Sequence, residues 1–299
     1  SPQPFEGGSF RDAPLMPNPE TVWLVRDGAK TDPAPSLELL PEFRPGDPGA
    51  PRPASDQDAG RIHASALSPS GGRVVVGGTG TLPRLYDAQT GALVGELRDA
   101  KEQEPGFDTR YLSFSPDGVW VLGTAVLVTA AGEDDTGWLQ VWDAETRALL
   151  CRTFVNRKCN RPFASQDRTR VGVGHRTGAT LYEVSDGELR LRSELALGQP
   201  ADGLSVRDGL FLIDDGYVLL SGGQVEQPKR PGRLELWRLG GGTPVRVRTL
   251  REEGPQTDVC RGRLTLSGDR SLLLVGSLKG QIEVYEGDAQ PPAEFLDGR

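Results

Sequence analysis

Few residues of this chain are of a type and spacing that could do chemistry. Histidine occurs only at His63 and His175, which fall in a predicted strand start and a predicted turn. A Ser-His-Asp triad would need a serine nucleophile on a sharp strand-to-helix turn close to one of them, and the sequence has no such motif. The sequence therefore favours structural or surface roles for both histidines.

A glycine-rich turn and a run of acids are the other candidates. Gly77-Gly78-Thr79-Gly80 could cradle a phosphate, but no helix is predicted after it, which favours an ordinary turn between strands. Glu133, Asp134 and Asp135 are weak candidates for a hard cation such as calcium. They lack the alternate spacing of an EF-hand loop, which favours a solvated loop tip. We predict no metal site and no cofactor.

The three cysteines are Cys151, Cys159 and Cys260, and no two of them form a Cys-x-x-Cys pair. With only two histidines beside them, they do not indicate a zinc site. Cys151 and Cys159 flank a predicted connection between strands. They could form a disulfide in an oxidising compartment, or they could be ordinary thiols in adjacent strands, and the sequence leaves both alternatives open.

Composition restricts the partners of the chain. It has 299 residues with a net charge of −8, which disfavours binding to nucleic acid or to anionic lipid. No apolar run approaches the roughly 20 residues of a membrane-spanning helix, so we expect no integral membrane segment. Glycine (39 residues) and proline (24 residues) are abundant, which favours many turns and short strands over long helices.

One pattern recurs along the chain and predicts the elements that must position these residues. A short apolar strand ends in a turn like Ser115-Pro116-Asp117-Gly118, and an apolar run follows it. A third strand ends in an aliphatic-aromatic-acid sequence such as Val141-Trp142-Asp143, and a fourth short strand closes the copy. The residues that mark the copies are Tyr86, Asp87, Trp142, Asp143, Tyr182, Trp237 and Tyr285.

The repeat predicts an all-β fold. A single sheet of four short strands cannot bury two apolar faces, whereas sheets stacked radially bury both. We therefore predict a β-propeller of four-stranded antiparallel blades. Five full copies and one partial copy indicate six blades, with seven as the alternative. Residues 61–299 would form the propeller, and residues 1–60 an extension with a Pro/Gly-rich linker and a partial blade that helps to close the ring. The strands of that partial blade are predicted near residues 21–28 and 36–43.

These motifs resemble those of WD40-repeat and related bacterial propellers over roughly residues 60–297. The Gly-His dipeptide that usually begins a WD40 repeat is absent, so the resemblance does not carry over the family's Asp-His hydrogen-bond network. A YVTN-type or quinoprotein-like propeller is the alternative. The resemblance implies a non-catalytic scaffold or adaptor that binds a protein partner, alone or within a larger complex.

Three insertions interrupt the repeat, at Asp99–Asp108, Ala130–Gly137 and Gln224–Arg233. In WD40 strand order all three would project from one face, and loops on a rigid scaffold are common binding sites. We therefore predict that a protein partner binds there. The candidate residues are Glu104, Phe107, Asp108, Asp134, Asp135, Trp138, Gln227, Lys229 and Arg230.

Two alternatives use the central channel, namely a propeller enzyme and a protein that binds a carbohydrate or another ligand. An enzyme should supply His, Arg or carboxylate groups at corresponding points of the ring, and the repeat shows none. A sugar site would use exposed loop aromatics, for which Trp138 and Phe107 are the candidates unless they lie in the core. The few lysines, the Pro-rich start and the candidate disulfide slightly favour a periplasmic protein or lipoprotein over a cytoplasmic one.

Overall fold

The structure is a computed structural model, and the residues it describes are all strands, turns and short connections. No helix occurs among them, so none of them forms a helix that could span a membrane. The described residues are 22–25, 37–40, 62–79, 81–98, 107–129, 132–197, 204–212, 215–223, 233–240, 242–252, 263–266, 272–276 and 282–286.

The described strands form six antiparallel sheets that follow one another along the chain, and neighbours in sequence are neighbours in each sheet. The first sheet has two strands, the next four have four strands each, and the last has three. In order, the sheets are β1 (Val22–Val25) and β2 (Leu37–Leu40); β3 (Ile62–Leu67), β4 (Arg73–Gly78), β5 (Thr81–Asp87) and β6 (Leu93–Glu96); β7 (Phe107–Phe114), β8 (Trp120–Thr129), β9 (Gly132–Asp143) and β10 (Leu149–Val155); β11 (Cys159–Ala164), β12 (Arg170–His175), β13 (Gly178–Ser185) and β14 (Glu188–Leu195); β15 (Ser205–Leu212), β16 (Tyr217–Gly223), β17 (Arg233–Arg238) and β18 (Val245–Glu252); and β19 (Leu264–Leu266), β20 (Leu272–Gly276) and β21 (Ile282–Glu286).

Burial differs between the middle and outer strands of a sheet. The second strands β12 and β16 are buried on both faces, as their nearly uninterrupted small and apolar residues predict. The fourth strands β10 and β14 instead alternate between exposed and covered residues. A sheet whose middle strands are covered on both faces must lie between two other sheets.

The cores between consecutive sheets show this stacking. Val75 and Leu85 of one sheet pack with Val121 and Trp142 of the next. Equivalent cores lie between the next three pairs of sheets, and they contain Val141 with Val171, Leu181 with Val218, and Leu236 with Val275. The predicted all-β propeller of antiparallel blades is therefore confirmed, and the described strands fall into six sheets, as expected for six blades.

The two strands predicted in the amino-terminal region are present as β1 and β2, which pair antiparallel with Trp23 opposite Leu39. Most of residues 1–60 lies outside the described residues. The division into an extension and a propeller at residue 61 stays a prediction.

The repeat residues have two structural roles. Tyr86, Trp142 and Tyr182 are buried between sheets, and Trp237 is partly buried. Asp143 closes the turn after the third strand, where its Oδ1 accepts hydrogen bonds from the amides of Glu145 and Thr146 and from the Thr146 hydroxyl. Asp87 makes the same three contacts, with Gln89 and Thr90. The side chain of Tyr285 lies outside the described residues.

Candidate functional site

The first predicted loop is in part a strand. Phe107 and Asp108 begin β7, and Asp108 is only 2% exposed, so it is not a loop residue open to a partner. The expected loop is strand at these two positions, because β7 extends up to the connection and pairs Phe107 with Leu127 and Asp108 with Val126 of β8. That Phe107 contacts a partner stays a prediction. Residues 99–106, including Glu104, lie outside the described residues.

The second predicted loop is also mostly strand. β8 and β9 continue as a long hairpin in which Val128 pairs with Glu133 and Thr129 pairs with Gly132. The backbone of Glu133, Asp134 and Asp135 therefore belongs to β9 and not to a solvated loop tip. The run Val126-Leu127-Val128-Thr129 explains the extension, because β-branched residues favour strands. Among the described residues, no group of three or more His, Cys, Asp or Glu is placed to hold a metal ion.

Trp138 is a partly buried residue of β9 and not an exposed loop aromatic. Its ring meets that of Phe154 edge-on, with centroids 5.5 Å apart, and the Arg152 guanidinium lies 4.8 Å from the Trp138 ring centroid. It thus packs against the outer strand β10, one residue before the end of that strand. The third predicted loop, with Gln227, Lys229 and Arg230, lies outside the described residues.

Cys151 and Cys159 are free thiols, both buried in the core between the second and third four-stranded sheets. The two cysteines lie beside different parts of β9. Cys151 pairs with Val141, whereas the Cys159 sulfur lies close to Gly137, 3.6 Å from the position that a Cβ atom on this glycine would take. Val141 and Gly137 are four residues apart on β9, or roughly 13 Å, which is too far for a disulfide. Burial raises the pKa of Cys151 to about 11 and that of Cys159 to about 12, so both thiols stay protonated at neutral pH.

The structure brings together a different set of residues at the starts of the first strands, which we call the inner strands. The inner strands β3, β7, β11, β15 and β19 lie side by side in this order. The ladder is irregular near the start of β3, β7, β11 and β15, where a β-bulge skips one or two residues. Bulges re-aim side chains. One basic residue lies in each of these four bulges, and a fifth, Arg263, directly precedes β19. We call these five residues the basic ring: His63, Arg110, Arg161, Arg207 and Arg263.

The first part of the ring is held by the buried carboxylate of Asp108. The Asp108 Oδ2 atom lies 2.9 Å from an Arg110 guanidinium nitrogen and 3.3 Å from His63 Nε2. His63 Nε2 is also 2.9 Å from the Thr79 hydroxyl. Because His63 is on β3 and Asp108 is on β7, this network joins two blades at the edge where their inner strands begin.

The second part of the ring lies between β11 and β15. The Asn160 side-chain amide donates to the Val206 carbonyl at 2.6 Å and to the Ser205 hydroxyl at 3.0 Å. Its own oxygen then accepts from Arg207 at 3.3 Å. Asn160 is 6% exposed, so it forms a fixed support for the partly exposed guanidinium.

The third part of the ring is centred on Asp208 of β15, which is only 4% exposed. Its Oδ2 accepts the Leu264 amide at 3.0 Å, and its Oδ1 accepts the Gly209 amide at 2.9 Å. Burial raises the pKa of Asp208, while the charges of Arg161 and Arg263 oppose that rise. The Asp208 carboxylate thus connects β15 with β19. Arg207, the residue before it, has no carboxylate partner among the described residues.

The expectation that no His, Arg or carboxylate repeats around the ring is wrong. The missed signal is a basic residue that lies three or four positions before an apolar residue near the end of each inner strand. His63, Arg110 and Arg207 lie four residues before Leu67, Phe114 and Phe211, respectively. Arg161 and Arg263 lie three residues before Ala164 and Leu266. The offset of three or four residues hides the repeat from an alignment without gaps.

The arrangement suits binding of an anion better than acid-base chemistry. Among the described residues, the ring and its supports contain four arginines and two aspartates, which is an excess of basic over acidic side chains in a chain whose net charge is −8. His175 is buried outside the ring, and burial together with the Arg157 charge lowers its pKa to about 4. It therefore serves neither as a proton donor nor as a cation at neutral pH.

Comparisons with known proteins show the fold. No family model matches the chain, and no curated protein matches it in sequence. Hydrazine synthase of Kuenenia stuttgartiensis is 12% identical, with a TM-score of 0.59 over 95% of this chain and 80% of that one. The Cps50 (Swd1) β-propeller domain of Myceliophteria thermophila is 14% identical, with a TM-score of 0.55 over 93% of this chain and 83% of that one. The Dos1 propeller is 13% identical, with a TM-score of 0.56 over 89% of this chain and 63% of that one. The chain has a WD40-like β-propeller fold.

Proposed function

We propose that this chain is a non-catalytic interaction scaffold, and that a protein partner binds on the face where the inner strands begin. The basic ring on that face is the observation that carries the proposal. Four of its members lie at bulges, Asp108 pairs with His63 and Arg110, and Asn160 holds Arg207, so the face presents positioned polar groups on a rigid scaffold.

The described strand ends that flank the predicted insertions lie on the same face. In each sheet the start of the first strand pairs with the end of the second strand, as in the pairing of Ile62 with Gly78. The turn between the second and third strands and the connection from the preceding sheet therefore lie beside the basic ring. The segments 99–106 and 224–232 are attached at these two kinds of position.

A ligand-binding or enzymatic propeller that uses the central channel is the second candidate. The repeated arginines favour it, because groups at corresponding points of the ring could converge on one small ligand. The neighbours in fold are named both as an enzyme, hydrazine synthase, and as propellers, Swd1 and Dos1, so they favour neither candidate.

Paired charge reversals test the scaffold proposal. Arg207→Glu changes the ring, whereas Arg192→Glu changes an exposed arginine on the outer strand β14 by the same charge. Both variants should keep the wild-type melting temperature within a few degrees, because neither arginine has a carboxylate partner among the described residues. Proteins captured from source cells by the full chain would be purified, and their dissociation constants measured against all three forms.

The scaffold proposal expects a purified partner that binds wild type and Arg192→Glu equally and binds Arg207→Glu at least tenfold more weakly. Equal affinity for all three forms would place the interface elsewhere and overturn the proposal. If no captured protein binds in purified form, the scaffold function is rejected in favour of the second candidate.

A further inference from the structure

We infer that the basic ring contains an oxyanion-binding site, in which Arg207 is the primary contact for a carboxylate or phosphate group of an acidic ligand. The inference rests on the proposed binding face at the start of the inner strands. It does not require the ligand to be a protein, because one oxyanion is enough to fill the site.

The surroundings of Arg207 distinguish it from the other arginines that pair with acids. Arg84 pairs with Glu96 at 3.0 Å, and Arg110 pairs with Asp108 at 2.9 Å. Arg207 instead contacts a neutral acceptor, the Asn160 side-chain oxygen at 3.3 Å. A guanidinium carries five N–H donors, and one neutral acceptor leaves most of them and the whole charge available to a ligand.

The positioning of Arg207 also indicates a binding role. It occupies the bulge between Val206 and Asp208, so the ladder is broken at this residue. Asn160 is fixed by its own two hydrogen bonds to β15 and holds the guanidinium through a third. Arg207 is thus a binding residue held in advance of its ligand, and Asn160 is a positioning residue.

The neighbouring charges favour an anion over a cation. Arg161 and Arg263 act on Asp208 from the two adjacent inner strands. The Asp208 carboxylate is enclosed and accepts backbone amides, so its charge is directed into the β15–β19 contact. A ligand that approaches Arg207 from solvent therefore meets its partly exposed guanidinium, a group that binds carboxylate and phosphate oxygens with two parallel hydrogen bonds.

Titration with two small anions tests the site directly. Citrate and pyrophosphate would be added separately to the full chain at low ionic strength, with binding measured by isothermal titration calorimetry. The two probes distinguish a carboxylate ligand from a phosphate ligand. We expect at least one of them to bind with a dissociation constant in the millimolar range or below, and to bind more weakly as NaCl is raised from 20 to 200 mM.

Three variants then locate the site. Arg207→Gln should weaken binding of that anion at least tenfold, because a charge-assisted hydrogen bond is lost. Arg207→Lys should retain part of the affinity, because the charge remains and the planar pair of donors is lost. Arg192→Gln on β14 removes an exposed arginine of equal charge and should leave the affinity unchanged.

The inference is overturned if neither anion binds, or if Arg207→Gln and Arg192→Gln weaken binding equally. The outcome is separable from that of the proposed function. A partner that depends on Arg207 while neither anion binds would keep the scaffold and reject the oxyanion site. Anion binding that depends on Arg207 while no partner is found would keep the site and reject the scaffold.

Discussion

Replacing His175 with Gln should reduce, by about 2 kcal/mol, the loss of stability that accompanies a fall in pH from 7.5 to 4.5. His175 is 1% exposed at the end of β12. Its Nδ1 accepts the Thr177 amide at 3.3 Å, so this nitrogen carries no proton, and its Nε2 lies 3.1 Å from the Thr180 hydroxyl. Protonation of Nδ1 would break the Thr177 bond and place a second cation beside Arg157, whose NH1 lies 3.4 Å from Nε2.

The size of the effect follows from proton linkage. Burial and the Arg157 charge lower the pKa of His175 from 6.5 to about 4. Between these two values the unfolded chain binds a proton that the folded chain does not, so the folded state loses stability as the pH falls. The contribution is complete above pH 6.5, and at pH 4.5 the loss is about 2.5 kcal/mol, given about 1.4 kcal/mol for each pKa unit.

Urea unfolding followed by tryptophan fluorescence measures this loss at pH 7.5, 6.5, 5.5 and 4.5. Between pH 7.5 and pH 4.5 the free energy of unfolding of His175→Gln should fall by about 2 kcal/mol less than that of the wild type, and the raised pKa of Asp208 acts equally on both forms. Gln89→Ala changes an exposed neutral side chain and is the control, which should retain the wild-type slope. The carboxylates of Asp87, Asp143 and Asp167 have lowered pKa values, so their contribution is lost only below about pH 4. Parallel curves for wild type and His175→Gln would refute the reasoning.

Two further predictions concern packing and turn closure, each measured as the change in the free energy of unfolding in urea. Gly209→Ala should destabilise by about 1–3 kcal/mol, because the added methyl group would overlap the Phe163 ring. Phe163→Leu in the same chain should recover part of that loss, and a double variant showing the two losses simply added would contradict this packing argument. Asp143→Ala should cost about 1–2 kcal/mol, since three donors of one turn lose their acceptor. If Asp87→Ala, at the equivalent turn, costs nothing while Asp143→Ala does, the shared role of the two aspartates is wrong.

The sequence predicted the parts of the fold that depend on local pattern. Leu139 and Val141 lie on one face of β9, in the core shared with the next sheet, as alternation in Leu139-Gln140-Val141 predicts, whereas Trp142 lies on the opposite face, in the core shared with the preceding sheet. The sequence did not predict that β7 and β8 continue past the expected loop at Asp108. The end of a hairpin depends on which residues of the two strands pair, and that register is set by tertiary contacts and not by local composition.

The basic ring escaped prediction for a related reason. A bulge adds one or two residues to a strand at a point where the ladder is already broken, so the spacing between a ring residue and the core can change without disturbing the packed part of the sheet. Arg207 is four residues from Phe211, whereas Arg161 is three residues from Ala164, yet both lie at the break in their ladders. The same break frees these side chains from packing between blades. The positions that vary in spacing are therefore the positions able to acquire binding roles, while the aromatic and aliphatic residues that repeat regularly hold the blades together.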